Sequence, residues 1–329
     1  MRSRLGQHFL INHSALKKIA AALSIAAGDT IVEIGPGHGE LTSELLTFVD
    51  SHTFADSHRH GKIIAIEKDG RLASELKTKF AKTSIIEIIE GDALRLLPSI
   101  VNGQLSSVAS YKLVGNIPYY ITGHLLRVIS EMEHKPKTAV FTIQEEVAER
   151  ICAEPPRMNR LAASTQHWAT PSILFRLPKE DFSPPPEVNS AVIKLKTHIT
   201  YHVSRIKNEG AKQSQEAKKH RKGKGKTASV AFVDSHTFLP AQAGADSHRY
   251  YDEAYYRAVR ILFQQPRKTI LNNLEAGLKN EELGIMGGES IEKRAKIGEA
   301  LKTIGANPTL RPQDLSIKDI ECIAELINN

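Results

Sequence analysis

Short apolar runs alternate with segments of helical periodicity throughout residues 30–195, and this alternation constrains the fold more than any other feature. The runs lie at residues 31–34, 63–66, 85–89, 111–115, 139–143, 172–177 and 190–196. Such alternation is typical of parallel strands that are joined by crossover helices. The sequence therefore predicts an α/β fold with a Rossmann-like, mostly parallel sheet.

The chain changes in composition after residue 200. The first half of the stretch 201–252 is rich in Lys, Gly, Gln and Ser and poor in large apolar side chains, so we expect a disordered basic linker there. Residues 253–329 return to helical periodicity and predict a small all-α C-terminal domain. The predicted organisation is an α/β domain over residues 1–200, then the linker, then the helical domain.

The net charge of +7 comes from one segment of the predicted linker. Residues 203–226 contain nine Lys or Arg and two Glu, so the rest of the chain is neutral overall. Basic segments attract nucleic-acid phosphates without regard to sequence, but a solvated linker explains the same composition. The overall basicity therefore says nothing about the α/β domain.

An internal repeat marks a second insertion, at about residues 50–61. Residues 48–54 recur identically at 232–238, and residues 55–59 recur at 245–249. Five of the 14 histidines lie in or beside these copies, but they lack the ligand spacing that is typical of zinc sites. We therefore expect insertions tolerated in surface loops, and we predict no metal site.

The remaining bulk features indicate a cytoplasmic protein. Two cysteines, Cys152 and Cys322, fit neither a disulfide framework nor a zinc knuckle. No run of the sequence approaches the roughly 20 apolar residues that span a bilayer, and the first residues lack the apolar core of a signal peptide. We expect a monomer in a reducing cytosol, with no membrane contact.

Glycines mark the turn between the first predicted strand and the helix after it. Residues 33–39 read Glu-Ile-Gly-Pro-Gly-His-Gly, which places Gly35 and Gly37 where the backbone can approach a ligand at a helix N-terminus. A turn of this kind also suits a dinucleotide. The spacing of Gly35, Gly37 and Gly39 differs from the G-x-G-x-x-G fingerprint, however, and favours a methionine-type nucleoside.

A carboxylate follows each of the next two predicted strands. Glu67 is a candidate acceptor for ribose hydroxyls, although it lies 28 residues after Gly39 where about 20 are expected. Removal of the 50–61 insertion restores the expected distance. Asp92 is a candidate acceptor for the exocyclic amine of an adenosine and also suits the N-cap of a helix. The alternative for Glu67 is an ordinary carboxylate at a strand end.

Four residues after the fourth predicted strand carry the most specific chemistry: Asn116, Ile117, Pro118 and Tyr119. Adenine N6 is a poor nucleophile because its lone pair is delocalised into the ring. Two acceptors that grip its two hydrogens, the Asn116 side-chain oxygen and the Ile117 carbonyl, would aim that lone pair at a methyl donor. A residue before proline is held extended, and Tyr119 offers a face on which an extruded base can stack.

The glycine turn, the two carboxylates and residues 116–119 resemble motifs of the ribosomal RNA adenine dimethyltransferase family. The resemblance of the chain to this family extends over residues 6–196 and again over 255–327. Residues 6–10, Gly-Gln-His-Phe-Leu, resemble the family's N-terminal motif, which folds over the methyl donor. His8 stands where many members carry Asn. The resemblance implies a class I methyltransferase that uses S-adenosyl-L-methionine as its cofactor. It implies that the cofactor contacts are His8, Leu10, Gly35, Gly37, Glu67, Asp92 and Asn116.

Later segments extend the resemblance. Residues 182–192 resemble the family's loop-to-strand signature, which implies that Phe182 packs against the target base. Residues 265–274 and 310–316 resemble motifs of the family's C-terminal domain. The candidates for RNA contact in this domain are Arg257, Arg260, Arg267 and Lys268.

The function that the resemblance implies is N6,N6-dimethylation of two adjacent adenines near the 3′ end of 16S rRNA during ribosome biogenesis. The implied partner is the small-subunit rRNA in a pre-30S particle. One alternative is the related family that dimethylates large-subunit rRNA and confers macrolide resistance, and another is a non-catalytic RNA-binding assembly factor. A nicotinamide-dependent dehydrogenase gives the 116–119 motif no role.

Overall fold

The computed structural model of the protein describes residues 7–53, 61–198, 245–279 and 290–328. Its strands are β1 (Phe9–Leu10), β2 (Thr30–Ile34), β3 (Lys62–Glu67), β4 (Ile86–Glu90), β5 (Tyr111–Asn116), β6 (Thr138–Gln144), β7 (Ala169–Leu177), β8 (Phe182–Ser183) and β9 (Ser190–Thr197). Its helices in the α/β region are α1 (His13–Ala22), α2 (Glu40–Thr53), α3 (Gly70–Lys79), α4 (Ala93–Asn102), α5 (Thr122–Glu131), α6 (Glu145–Ile151) and α7 (Arg160–Gln166). The C-terminal helices are α8 (Ala245–Leu262), α9 (Ile270–Gly277), α10 (Ser290–Thr303) and α11 (Ile317–Leu326).

Within the described residues, seven strands form one sheet in the order β4-β3-β2-β5-β6-β9-β7. The five strands from β2 to β6 form a parallel block. Strand β9 lies antiparallel to both β6 and β7. The predicted mostly parallel sheet is confirmed, and the apolar runs at 172–177 and 190–196 form its antiparallel strands β7 and β9. Because the order reverses between β2 and β5, the carboxyl ends of these strands border a crevice where α/β proteins bind ligands.

Polar caps explain where several helices begin. The Asn12 side chain accepts from the Ala15 N–H at the start of α1, and Asp69 accepts from the first turn of α3. Ser316 and Asp319 form a reciprocal capping box at the start of α11. Each cap satisfies N–H groups that lack a partner in the first helical turn.

Apolar side chains on the two faces of the sheet form two buried clusters, and the helical domain has a third. The third cluster extends beyond the C-terminal helices, because Met158, Ala162 and Ala163 are buried in it. The Tyr255 hydroxyl also donates to the Ala163 carbonyl at 3.1 Å. Helix α7 therefore joins the α/β region to the helical domain.

Two boundaries differ from the predictions. Helix α8 begins at Ala245, inside the predicted linker, because no Gly or Pro interrupts the helical run between residues 245 and 262. The helical periodicity of residues 267–274 predicts a helix that begins at Arg267, but helix α9 begins at Ile270, because the Thr269 side chain caps it. Residues 54–60 of the first insertion and 201–244 of the predicted linker lie outside the described residues.

None of the helices in the described ranges is both long enough and apolar enough to cross a membrane. The two cysteines, Cys152 and Cys322, are both free thiols.

Candidate active site

A cleft that is partly open to solvent lies at the carboxyl ends of β2, β3, β4 and β5. Its walls contain ten of the residues that the sequence singles out: His8, Gly35, Gly37, Glu67, Asp92, Asn116, Ile117, Pro118, Tyr119 and Phe182. Parallel strands bring these residues together, because their carboxyl ends share one edge of the sheet. The roles predicted for the residues stay predictions, but their proximity is a feature of the structure.

The glycine turn allows the chain to pass close to other segments of the cleft. Gly35 and Gly37 have φ angles of +65° and +62°, in the left-handed region that residues with a Cβ rarely adopt. A Cβ on Gly37 would lie 2.8 Å from a carbon of the Phe9 ring. A side chain at Gly37 would therefore strain the backbone and displace the N-terminal segment.

Glu67 ends β3 inside the cleft and is only 2% exposed. One carboxylate oxygen accepts from the Gly37 N–H at 3.1 Å, and the other accepts from the Asp69 N–H at 2.8 Å. Burial raises the pKa of Glu67, although these backbone hydrogen bonds oppose the rise. Since an ionised carboxylate has about four acceptor positions, two bonds leave capacity for hydroxyl groups of a ligand.

Asp92 combines a structural and a site position. Its side chain accepts from the Leu94 N–H at 3.0 Å and so caps α4. Its other oxygen accepts from Lys68 Nζ at 2.8 Å. The Lys68 hydrogen bond is the main cause that holds the pKa of Asp92 below its usual range. The predicted N-cap is confirmed, and it coexists with a place in the cleft wall.

Asn116 ends β5, and its amide nitrogen donates to the His8 carbonyl at 2.7 Å. An amide has separate donor and acceptor atoms. Because the bond to His8 uses the nitrogen, the Asn116 amide oxygen can still accept a hydrogen bond from a ligand. The Ile117 N–H donates to the Thr142 carbonyl at 3.0 Å, which fixes the peptide to β6. Pro118 then turns the chain with φ −53° and ψ 130°.

Tyr119 lies half-buried at the end of this motif. Its hydroxyl is 2.8 Å from Ser190 Oγ, and the centroid of its ring is 6.0 Å from that of His8, with 26° between the planes. Burial raises the pKa of Tyr119, and the Ser190 hydrogen bond opposes that rise. The phenol is therefore neutral at physiological pH and is held at its hydroxyl end.

The N-terminal segment and the 182–192 signature meet in a small antiparallel sheet. Phe9 pairs with Ser183 and Leu10 with Phe182, and the imidazole Nδ1 of His8 bonds to the Pro184 carbonyl at 2.8 Å. The Phe182 ring is 2% exposed and lines the cleft. This pairing, between residues more than 170 positions apart, closes one side of the cleft.

Leu10 is the predicted cofactor residue that does not line the cleft. Its side chain is 4% exposed and packs in the core behind the cleft wall. There it borders a smaller neighbouring cavity with Glu33 and Thr142. Burial raises the pKa of Glu33 to about 8, although a hydrogen bond from Thr42 at 2.7 Å opposes the rise. A direct contact of Leu10 with the cofactor stays a prediction.

The four predicted RNA contacts lie on or after α8, away from the cleft lining. Arg260, Arg267 and Lys268 are exposed. Arg257 is partly buried and donates to the Ile327 carbonyl at 3.4 Å, so part of its guanidinium holds the end of α11. Arg267 and Lys268 belong to the turn before α9 and not to a helix, because Thr269 caps that helix.

Sequence reasoning missed several cleft residues: Gln7, Phe9, Lys68, Tyr120 and Ile121. Lys68 follows Glu67 and Tyr120 follows Tyr119, so extension of each predicted segment by one residue would have included them. The contacts of Phe9 depend on the pairing of β1 with β8. A two-residue strand has no periodicity in the sequence that could reveal such a pairing.

Comparisons with known proteins agree with this architecture. A sequence profile of the family described as ribosomal RNA adenine dimethylase matches residues 1–208. The ribosomal RNA small subunit methyltransferase A of Moorella thermoacetica is 30% identical over 335 residues, which cover 100% of this chain and 93% of that protein. The chain therefore belongs to the ribosomal RNA adenine dimethylase family.

The protein of the same name from Dehalococcoides mccartyi (strain CBDB1) is 40% identical over 194 residues. That alignment covers 59% of this chain and 62% of the relative, so the chain matches less than two thirds of that relative's length.

Two solved structures share the fold over nearly their whole length. A dimethyladenosine transferase from Plasmodium falciparum has a TM-score of 0.65 at 21% identity, and the alignment covers 97% of each chain. The 23S rRNA methyltransferase ErmE has a TM-score of 0.57 at 19% identity, covering 98% of this chain and 100% of that one. The predicted Rossmann-like class I methyltransferase sheet with a helical C-terminal domain is confirmed.

Proposed function

We propose that this protein transfers methyl groups from S-adenosyl-L-methionine to N6 of two adjacent adenines near the 3′ end of small-subunit rRNA, during ribosome biogenesis. The observation that carries the proposal is the position of residues 116–119, which end β5 in the same cleft as Glu67 and Asp92. The family and the names of the curated relatives support it. Without that cleft the family resemblance would leave the activity open.

The cleft fits the proposed cofactor. S-adenosyl-L-methionine supplies a methyl group that its sulfonium charge has already activated. Gly35 and Gly37 let the backbone approach such a nucleoside closely, and the buried Glu67 carboxylate retains acceptor capacity for ribose hydroxyls. Asp92 has the carboxylate needed to accept from an adenine amine, provided that it shares or releases the Lys68 ammonium.

The chain's contribution to the reaction is to hold the target amine. Asn116 keeps its amide oxygen available because its nitrogen is bonded to His8. The Ile117 carbonyl is the second proposed acceptor, and the hydrogen bond from the Ile117 N–H to the Thr142 carbonyl holds this residue against β6. Two acceptors on the two N–H groups orient the nitrogen lone pair, so catalysis comes mainly from positioning.

Aromatic walls complete the proposed base pocket. Tyr119 offers a partly exposed ring in the cleft, and Phe182 forms part of the wall beside it. An adenine that leaves the RNA stack loses stacking energy, which aromatic side chains restore. A neutral phenol ring suits this role, because burial keeps the pKa of Tyr119 raised.

The second candidate is a methyltransferase for large-subunit rRNA. ErmE, a 23S rRNA methyltransferase, shares the fold, and the same base-pocket chemistry would serve both substrates. The curated relatives carry the small-subunit name, which favours the first proposal. The intact acceptor set at Asn116 and Ile117 argues against a purely RNA-binding assembly factor.

The proposed partner is a pre-30S particle, the proposed compartment is the cytoplasm, and the proposed state is a monomer. The exposed cations Arg260, Arg267 and Lys268 are the proposed phosphate contacts of the C-terminal domain. Size-exclusion chromatography with light scattering tests whether the protein is a monomer. A stable dimer would contradict it.

A tritiated-methyl assay on both ribosomal subunits tests the proposal. Small subunits and large subunits that lack adenine dimethylation are each incubated with the full-length protein and labelled cofactor. We expect incorporation into the small subunit alone. Incorporation only into large subunits would favour the second candidate. Binding to small subunits without incorporation would contradict the proposal that the protein is a methyltransferase.

A further inference from the structure

We propose that Ser190 is a positioning residue that fixes the Tyr119 ring, and that this restraint matters more for the second methyl transfer than for the first. The inference rests on the proposed adenine dimethylation. The resemblance gives only Phe182 of the 182–192 signature a role at the base pocket. The inference gives Ser190 of the same signature a second role there.

The hydroxyl groups of Ser190 and Tyr119 lie 2.8 Å apart, within the range of a good O–H···O hydrogen bond. The two residues are 71 positions apart in the chain. Tyr119 begins a short 3-10 turn, where the backbone alone leaves its side chain free to change rotamer. A bond at the far end of the ring restricts both side-chain torsions.

Ser190 is a rigid anchor for that bond. It is fully buried and begins β9, where it pairs with Gln144 of β6 and with Leu177 of β7. A residue paired on both sides in a sheet cannot follow movements of the neighbouring turn. The hydroxyl of Ser190 therefore transmits the position of the sheet to the aromatic wall of the cleft.

The two methyl transfers differ in how firmly hydrogen bonds hold the amine. An unmodified N6 has two hydrogens for the two proposed acceptors, Asn116 Oδ1 and the Ile117 carbonyl. After one transfer, S-adenosylhomocysteine leaves and N6 releases one proton to solvent. The nitrogen then carries a methyl group and a single hydrogen, so one of these bonds is lost. Stacking on Tyr119 must then supply a larger share of the positioning, and looseness of the ring slows the second transfer more.

The test measures monomethyladenine and dimethyladenine by mass spectrometry during a time course on unmethylated small subunits. Ser190→Ala and Tyr119→Phe each remove one hydroxyl and keep the ring. We expect each to slow the second transfer about fivefold relative to the first, the size of one lost hydrogen bond. Monomethyladenine then accumulates, whereas the dissociation constant for the cofactor stays at the wild-type value and the Tm falls by no more than a few degrees.

Three further variants make the test specific. The double variant Ser190→Ala/Tyr119→Phe is expected to behave like either single variant, because both remove the same bond. Ser190→Thr keeps a hydroxyl and is expected to restore the wild-type product ratio. Ser172→Ala removes an exposed hydroxyl of β7, and as the control it is expected to leave the ratio unchanged.

A wild-type ratio of products in Ser190→Ala and Tyr119→Phe would overturn the inference, and so would additive effects in the double variant. If Ser190→Ala fails to fold, Tyr119→Phe removes the same bond without altering β9 and decides the matter. A wild-type protein that transfers no methyl at all would instead refute the proposed function. The two failures are thus distinguishable.

Discussion

Two stacked histidine–tyrosine pairs among the described residues differ in how closely their rings approach. In the cleft, the ring centroids of His8 and Tyr119 are 6.0 Å apart and the planes differ by 26°. Where α7 meets the helical domain, the rings of His167 and Tyr255 stack at 3.7 Å and 8°. The second pair is closed to other molecules, whereas the first leaves ring surface in a cleft.

The surroundings of the two pairs differ in the same way. Tyr255 is 1% exposed, and His167 bonds to Asp252 at 2.9 Å and lies 3.4 Å from Glu321. Tyr119 is only half-buried and lines the cleft together with Asn116. The same residue types thus stabilise a junction in one place and form a proposed binding surface in the other, according to how completely they are packed.

Tyr255→Ala should give the largest effect. The change removes a buried ring, its stack with His167 and its hydrogen bond to Ala163, and large-to-small changes of this kind cost about 3–5 kcal/mol. Urea unfolding measures the loss. Cofactor affinity of the folded fraction should stay unchanged. If the variant were as stable as the wild type, the His167–Tyr255 pair would not stabilise this junction.

Tyr119→Ala should act on function instead. Stacking of one base on an aromatic ring contributes about 1–3 kcal/mol, so methyl transfer to small subunits should fall by roughly 10- to 100-fold. The free energy of unfolding should change far less than for Tyr255→Ala. Equal losses of stability in the two variants would contradict the distinction between an open and a closed pair.

The closed pair should make stability depend on pH. Burial disfavours the imidazolium of His167, but bonds to Asp252 and Glu321 outweigh it and raise the pKa of His167. Tyr256 and His198 also face this group. A raised folded-state pKa contributes stability fully below the unfolded value of about 6.5, and this contribution is lost as pH rises through the folded-state pKa.

Melting temperatures of the wild type and His167→Gln, measured from below a pH of about 6.5 to well above it, check the direction of this pH dependence. His167→Gln should lower the Tm most at acidic pH, and the difference from the wild type should shrink as pH rises. A difference that grows with pH would show that the neutral imidazole is the stabilising form.

Lys68→Ala should give the smallest effect. The side chain is exposed, so its ion pair with Asp92 is screened by solvent. Removal of Lys68 should raise the pKa of Asp92 toward its ordinary value and change cofactor affinity by no more than a few-fold. Isothermal titration at low and high salt measures this change, and a loss comparable to that of Tyr119→Ala would give Lys68 a direct role.

Local sequence signals were sufficient for the sheet and for much of the cleft. Apolar runs such as Ile63–Ile66 mark buried strands, and Glu67, Asp92 and Asn116 could be located because each follows such a run. The contacts of His8 with Pro184 and of Tyr119 with Ser190 could not be predicted. They join segments that only the three-dimensional path of the chain brings together, and no periodicity in either partner records them.

Mass mapping of rRNA methylation with the wild type, Asn116→Ala and Asn102→Ala tests the central claim most directly. Asn102 ends α4 on the surface and serves as the matched asparagine control. The wild type and the control should dimethylate two adjacent adenines of small-subunit rRNA. Asn116→Ala should transfer little or no methyl, a loss of at least about 100-fold. Normal dimethylation by Asn116→Ala would contradict the account.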